Sequence, residues 1–220
     1  MYHAPALILR KDAWGEADCL VTVFTSVSGK IRLLAQGARK HGAKLQGHLE
    51  PGFISDISFV IGRNGYRLTT ARVQASFPGI RGSLVKNRAL ALVLAAVDQN
   101  FFEDGDDAAP FFAMLQDFLA AIEQASGAAA VRRLSVWFTV RLLVFLGLFP
   151  AAGSREGERS GMLAELGARD VNAVARTPFR DDALSDELRE VMRHLQDAVR
   201  IPEYVLATDI AVSWAYGATG

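Results

Sequence analysis

The residues best suited to chemistry lie in the segment 29–48, GKIRLLAQGARKHGAKLQGH. Lys30, Arg32, Arg39, Lys40 and Lys44 fall among small and apolar residues, and no acid intervenes before Glu50. Cations on a glycine-rich loop let the backbone approach phosphates, and each contact releases condensed counterions. Arg10 and Lys11 extend the same charge upstream. These seven residues are the candidate polyanion contacts. A solvated charged loop would have the same composition, so charge alone leaves both readings open. Base stacking would fall to Trp14 and Tyr66, so backbone contacts should dominate and binding should be independent of base sequence.

Covalent chemistry finds little support. Cys19, the single cysteine, alternates with apolar residues and has no histidine near it, which reads as a buried thiol and not a nucleophile. His41 and His48 stand in a loop without a third ligand nearby. No Ser-His-Asp or paired-carboxylate spacing stands out. Gly29-Lys30 resembles the end of a phosphate loop, but Phe24 holds the place of its first glycine and no helix follows. Gly79-Ile80-Arg81-Gly82 fits a GxxG backbone clamp. Gly62-Arg63-Asn64-Gly65 fits it equally and is a hairpin, so the first string reads as a linker. No catalytic residue, metal ligand or cofactor is assigned, and an enzyme is not expected.

The elements that must position the cations are strands. Residues 4–10, 19–25, 30–36, 53–61 and 66–77 alternate with period two and are cut by short turns. Leu20, Thr22 and Phe24 share one face of the second, Val21 and Val23 the other; Phe53, Ile57, Phe59 and Ile61 share a face of the fourth. Asn64-Gly65 marks a two-residue hairpin. Five such strands suit a small closed barrel, and the OB-fold is the one that commonly takes nucleic acid.

After Ser83 the period changes to that of a helix, with Leu90, Val93, Leu94, Val97 and Phe101 on one stripe. A second helix should begin near Pro110, and residues 128–148 form a third, apolar on nearly all sides and therefore central. Arg141 within it should be paired or point to a domain junction, because a lone buried charge is costly. A loop after Pro150, a helix from Ser185 or Asp186 to Val199 and a last one from Pro202 to Trp214 complete the reading. The fold class is α+β with two domains, a barrel over 1–80 and an all-α domain over 81–220.

Charge follows the same division. Residues 1–82 hold eleven Lys and Arg against five acids, a net of +6, and residues 83–220 hold the balancing −6. A basic first third next to an acidic remainder predicts two surfaces with different partners. With no basic leader and no uninterrupted run of the ~20 apolar residues a spanning helix needs, the sequence reads as a soluble, cytoplasmic chain without a membrane partner.

The order of several short motifs resembles the RecO family of bacterial DNA repair proteins. They are Ala6-Leu7-Ile8-Leu9-Arg10, Gly15-Glu16-Ala17-Asp18, Leu20-Val21-Thr22, Ser28-Gly29-Lys30, Gln36-Gly37-Ala38-Arg39-Lys40 and Leu49-Glu50-Pro51. Ser76-Phe77-Pro78-Gly79-Ile80-Arg81, Val140-Arg141-Leu142-Leu143 and Leu146-Gly147-Leu148-Phe149-Pro150 continue the match through residue 150. The resemblance implies an OB-fold followed by helices. It also implies binding to single- and double-stranded DNA, annealing of complementary strands, loading of RecA with RecR, and docking of the single-strand-binding protein's C-terminal tail. Many members carry a four-cysteine zinc site after this point; residues 151–161 here have none, so zinc is not expected. For the acidic tail, Arg132, Arg133 and Arg141 are the cations nearest in sequence to an apolar groove along residues 138–149, although Phe138, Leu142 and Phe145 read more readily as core. The alternative is a protein-interaction adaptor with weak or no DNA binding.

Overall fold

A computed structural model describes residues 1–63, 65–103, 108–150, 161–176, 181–195 and 198–200. Its first strand, β1 (Tyr2–Trp14), is the one on which the barrel closes. Residues 2–7 pair antiparallel with β4 (Ile54–Gly62), and residues 6–14 with β2 (Asp18–Thr25). A register shift between Ile8 and Arg10 bends the strand so that it can serve both neighbours. β3 (Gly29–Ala35) pairs with β2, and β5 (Gly65–Ala75) runs antiparallel to β4 and parallel to β3. The order β1-β2-β3-β5-β4 is closed, the five-stranded barrel of an OB-fold.

Alternation places the core. Ile31, Leu33 and Ala35 of β3 are fully buried, while Lys30, Arg32 and Leu34 face outward. Val21, Val23 and Cys19 meet them from β2, so the thiol is buried as expected. Ile57 and Phe59 join this core from β4, but Ile61 is 61% exposed, because it pairs with Tyr66 at the hairpin end beyond the barrel. β1 runs further than the sequence pattern indicates: Lys11 to Trp14 are polar or exposed yet keep their pairing to β2. Asn64 of the expected hairpin lies outside the described residues.

The chain divides into two compact units, one of residues 1–78 with 97–116 and one of 79–96 with 117–220. In the first unit, residues from α2 (Leu84–Asn100) and α3 (Ala109–Gln124) cover the outside of β2. Phe24 points outward from the barrel yet is fully buried, edge-on to Phe101 at 4.9 Å and Phe111 at 5.7 Å between centroids. Both faces of β2 are therefore interior.

In the second unit α4 (Gly127–Phe145) is central, with α5 (Gly161–Ala168), α6 (Val171–Arg176) and α7 (Asp181–Leu195) packed against it. Phe118 of α3 stacks on Trp137 of α4 and packs at a tilt against Phe138. The short helix α1 (Pro78–Arg81) holds the GxxG string in a structural role: the Glu123 carboxylate accepts the Gly79 and Ile80 amides, each at 2.8 Å. The sequence pattern does not disclose α5 and α6, which are too short to show a helical period. α7 begins at Asp181 and not at Ser185, because Leu184 is a core residue, and it ends at Leu195. The loop expected after Pro150 and the helix expected from Pro202 lie outside the described residues.

Candidate nucleic-acid interface

The loop that follows β3 is fastened at its start. Gly37, at φ +66°, donates its amide to Asp18 Oδ1 at 2.7 Å. The Arg39 amide donates to the Ala17 carbonyl at 2.9 Å, and its Nη1 donates to the Gly15 carbonyl at 3.0 Å. The β1–β2 turn thus anchors the loop through backbone atoms and one carboxylate. Arg39, Lys40 and Lys44 are exposed, and none of them forms an ion pair with a described residue. Trp14, 57% exposed, stands at the other end of that turn. Tyr66 packs edge-on against Phe59 at 5.6 Å and is partly buried, so Trp14 is the ring left open for stacking.

The other four candidate cations are engaged. Lys11 pairs with Glu50. Arg10 contacts Asp12 at 2.8 Å and Asp98 at 3.3 Å. Lys30 donates to the Asp98 carbonyl, lies 3.7 Å from its carboxylate and keeps 12% of its side chain exposed. Arg32 meets Glu103 at 2.6 Å. The structure therefore sorts the seven into an unpaired loop group and a paired group on the barrel wall and its rim. Two further exposed cations, Arg63 and Arg67, flank the β4–β5 hairpin, Arg67 opposite Leu34 of β3. The Asn-Gly hairpin signal beside two arginines is what could have found them.

In the helical unit, Arg133 donates to the Val174 and Ala175 carbonyls at 3.3 and 3.0 Å, in the last turn of α6. Arg141 Nη1 reaches the Gly167 carbonyl at 3.4 Å near the end of α5, and its guanidinium lies 5.8 Å from the Trp137 ring centre. Cations at helix C-termini satisfy carbonyls left without helical partners. Arg132 is half-buried. Arg141 also borders a cavity of about 240 Å³ lined by Val140, Val144, Phe149 and Ala164. Phe138 and Leu142 are fully buried core residues, whereas Phe145 is 44% exposed. Among the described residues, no group of three His, Cys, Asp or Glu could hold a metal ion, and no helix is long and apolar enough to cross a membrane.

The family model described as "Recombination protein O N terminal" matches residues 1–77, the span of the barrel. The DNA repair protein RecO of Gloeothece citriformis is 29% identical over 209 residues, covering 86% of this chain and 70% of that protein. RecO of Exiguobacterium sp. is 27% identical over 219 residues, covering 87% and 86%. RecO of Synechococcus sp. (strain JA-2-3B'a(2-13)) is 34% identical over 164 residues, covering 68% and 55%. With the barrel, its basic loop and the helical unit that follows, the chain belongs to the RecO family of DNA repair proteins.

Proposed function

We propose that the chain binds single- and double-stranded DNA through its barrel, anneals complementary strands and assists the loading of RecA together with RecR. The observation that carries the DNA reading is the fastened loop with Arg39, Lys40 and Lys44 exposed and without carboxylate partners among the described residues. Two complementary strands repel each other through their phosphates. A surface of fixed cations lowers that repulsion and raises local strand concentration, while base pairing supplies the specificity. Trp14 adds a stacking surface for unpaired bases. No bond to the protein forms or breaks in this scheme.

The helical unit supplies the second contact. Its cavity beside Arg141 combines apolar walls with a cation, the pairing suited to an acidic peptide that ends in a hydrophobic residue. The proposed occupant is the C-terminal tail of the single-strand-binding protein.

Fluorescence anisotropy with a short single strand across a salt series tests the DNA reading. Wild-type affinity should fall steeply with salt, and Arg39→Ala/Lys40→Ala/Lys44→Ala should flatten the log–log slope by about 2, at ~0.7 per phosphate contact. An unchanged slope removes the loop from the mechanism. The pairing of Arg10, Lys11, Lys30 and Arg32 favours a second reading, an adaptor whose barrel has little DNA affinity. Absence of wild-type binding at low salt would select it.

A further inference from the structure

We infer that Asp98 and Glu103 occupy a second phosphate-binding row on the barrel wall and hold it closed against DNA. This rests on the proposal that the barrel binds DNA, and it concerns how that binding is regulated. The row follows from strand register: Arg10 of β1 is opposite Thr22 of β2, and Thr22 is opposite Arg32 of β3. All three lie on the outward side, and Lys30 projects from the same side of β3. Cross-strand neighbours stand about 5 Å apart. The row therefore sets two guanidiniums and one ammonium around a buried hydroxyl within a single short stretch of wall.

Carboxylates fill it. Asp98 takes both Arg10 and Lys30, and Glu103 takes Arg32. With Asp12 also on Arg10, three cations face three carboxylates among the described residues, and their charges balance. Thr22 marks the incompleteness of this arrangement. It is 1% exposed, and its hydroxyl, between the two arginines, has no hydrogen-bond partner among the described residues. A buried hydroxyl left unsatisfied is costly, and a phosphodiester lying along the row would offer it an acceptor. Glu103 and Arg32 are close to half-exposed, and such pairs are weak and screened by salt. They are therefore the contacts that a polyanion can displace. DNA first held by Arg39, Lys40 and Lys44 would exchange its phosphates for these carboxylates.

The test compares the full chain with Asp98→Asn/Glu103→Gln in single-strand anisotropy across a salt series. The variant should bind roughly five-fold tighter at low salt. Its log–log slope should be steeper by about 1.4, two added contacts at ~0.7 each. Arg32→Ala placed on the variant should remove much of the gain. Asp186→Asn/Glu190→Gln, the same change in net charge made on α7, should leave the slope at its wild-type value. Glu103→Gln alone leaves both Asp98 contacts in place and should show part of the gain even where the double variant folds poorly. If wild type binds DNA and neither variant differs from it, the closed row is wrong while the DNA reading stands. An equal gain from the α7 control also overturns it. If neither wild type nor variant binds, both readings fall.

Discussion

The Gly37 amide donates to Asp18 Oδ1 at 2.7 Å, joining the first residue of the basic loop to the first residue of β2. An acid beneath three cations looks like a liability in a polyanion surface. Here one of its oxygens is engaged on the amide, and the carboxylate is partly buried, so it orients the loop instead of neutralising it. The Arg39 amide and guanidinium complete the fastening on the carbonyls of Ala17 and Gly15.

Asp18→Ala should therefore lower stability by about 1.5–3 kcal/mol, the range for a hydrogen bond to a charged group. Asp18→Asn retains an oxygen acceptor and should lose less than half of that. Urea unfolding of the two variants reads the difference; identical losses would mean that charge and not the amide bond is what matters.

Phe24→Ala should cost about 3–5 kcal/mol, the range for emptying a buried phenylalanine site. The ring supports Phe101 and Phe111, so its loss loosens the cover over β2 as well as removing buried area. Leu20→Ala, on the same face but only partly buried, should cost less than half as much in the same denaturation experiment.

Gly167 lets α5 lie directly against α4. A Cβ there would stand 2.7 Å from Val140 Cγ1, closer than such atoms approach. Gly167→Ala should destabilise by about 1–3 kcal/mol from overpacking, although alanine favours a helix by ~1 kcal/mol over glycine. Val140→Ala on that background should recover part of the loss, which thermal melts of the full cycle would show as a favourable coupling.

Arg141→Ala should weaken binding of an acidic peptide with a hydrophobic end by roughly ten-fold, as expected for loss of a charge-assisted contact. Peptide anisotropy on the full chain provides the measurement, with DNA affinity as the control that should not move. Unchanged peptide affinity would place the tail elsewhere than the cavity lined by Val140, Val144 and Phe149.

Period-two alternation is a local property, so the barrel is legible in the sequence: residues 31, 33 and 35 have to share a face, and closed pairing buries them. The buried Cys19 and the central position of α4 followed from the same kind of local pattern. The concentration of cations in residues 29–48 was equally plain. Which of those cations remain available was not. Lys30 meets Asp98 across 68 residues of chain, and Arg32 meets Glu103 only because residues 97–116 return to the barrel wall. Arg133 and Arg141 likewise ended on the carbonyls of α6 and α5, helices too short to announce themselves by period. Composition determines how many charges a chain carries, whereas Coulomb and hydrogen-bond energies depend on separation in space, and that separation is decided only when distant segments pack together.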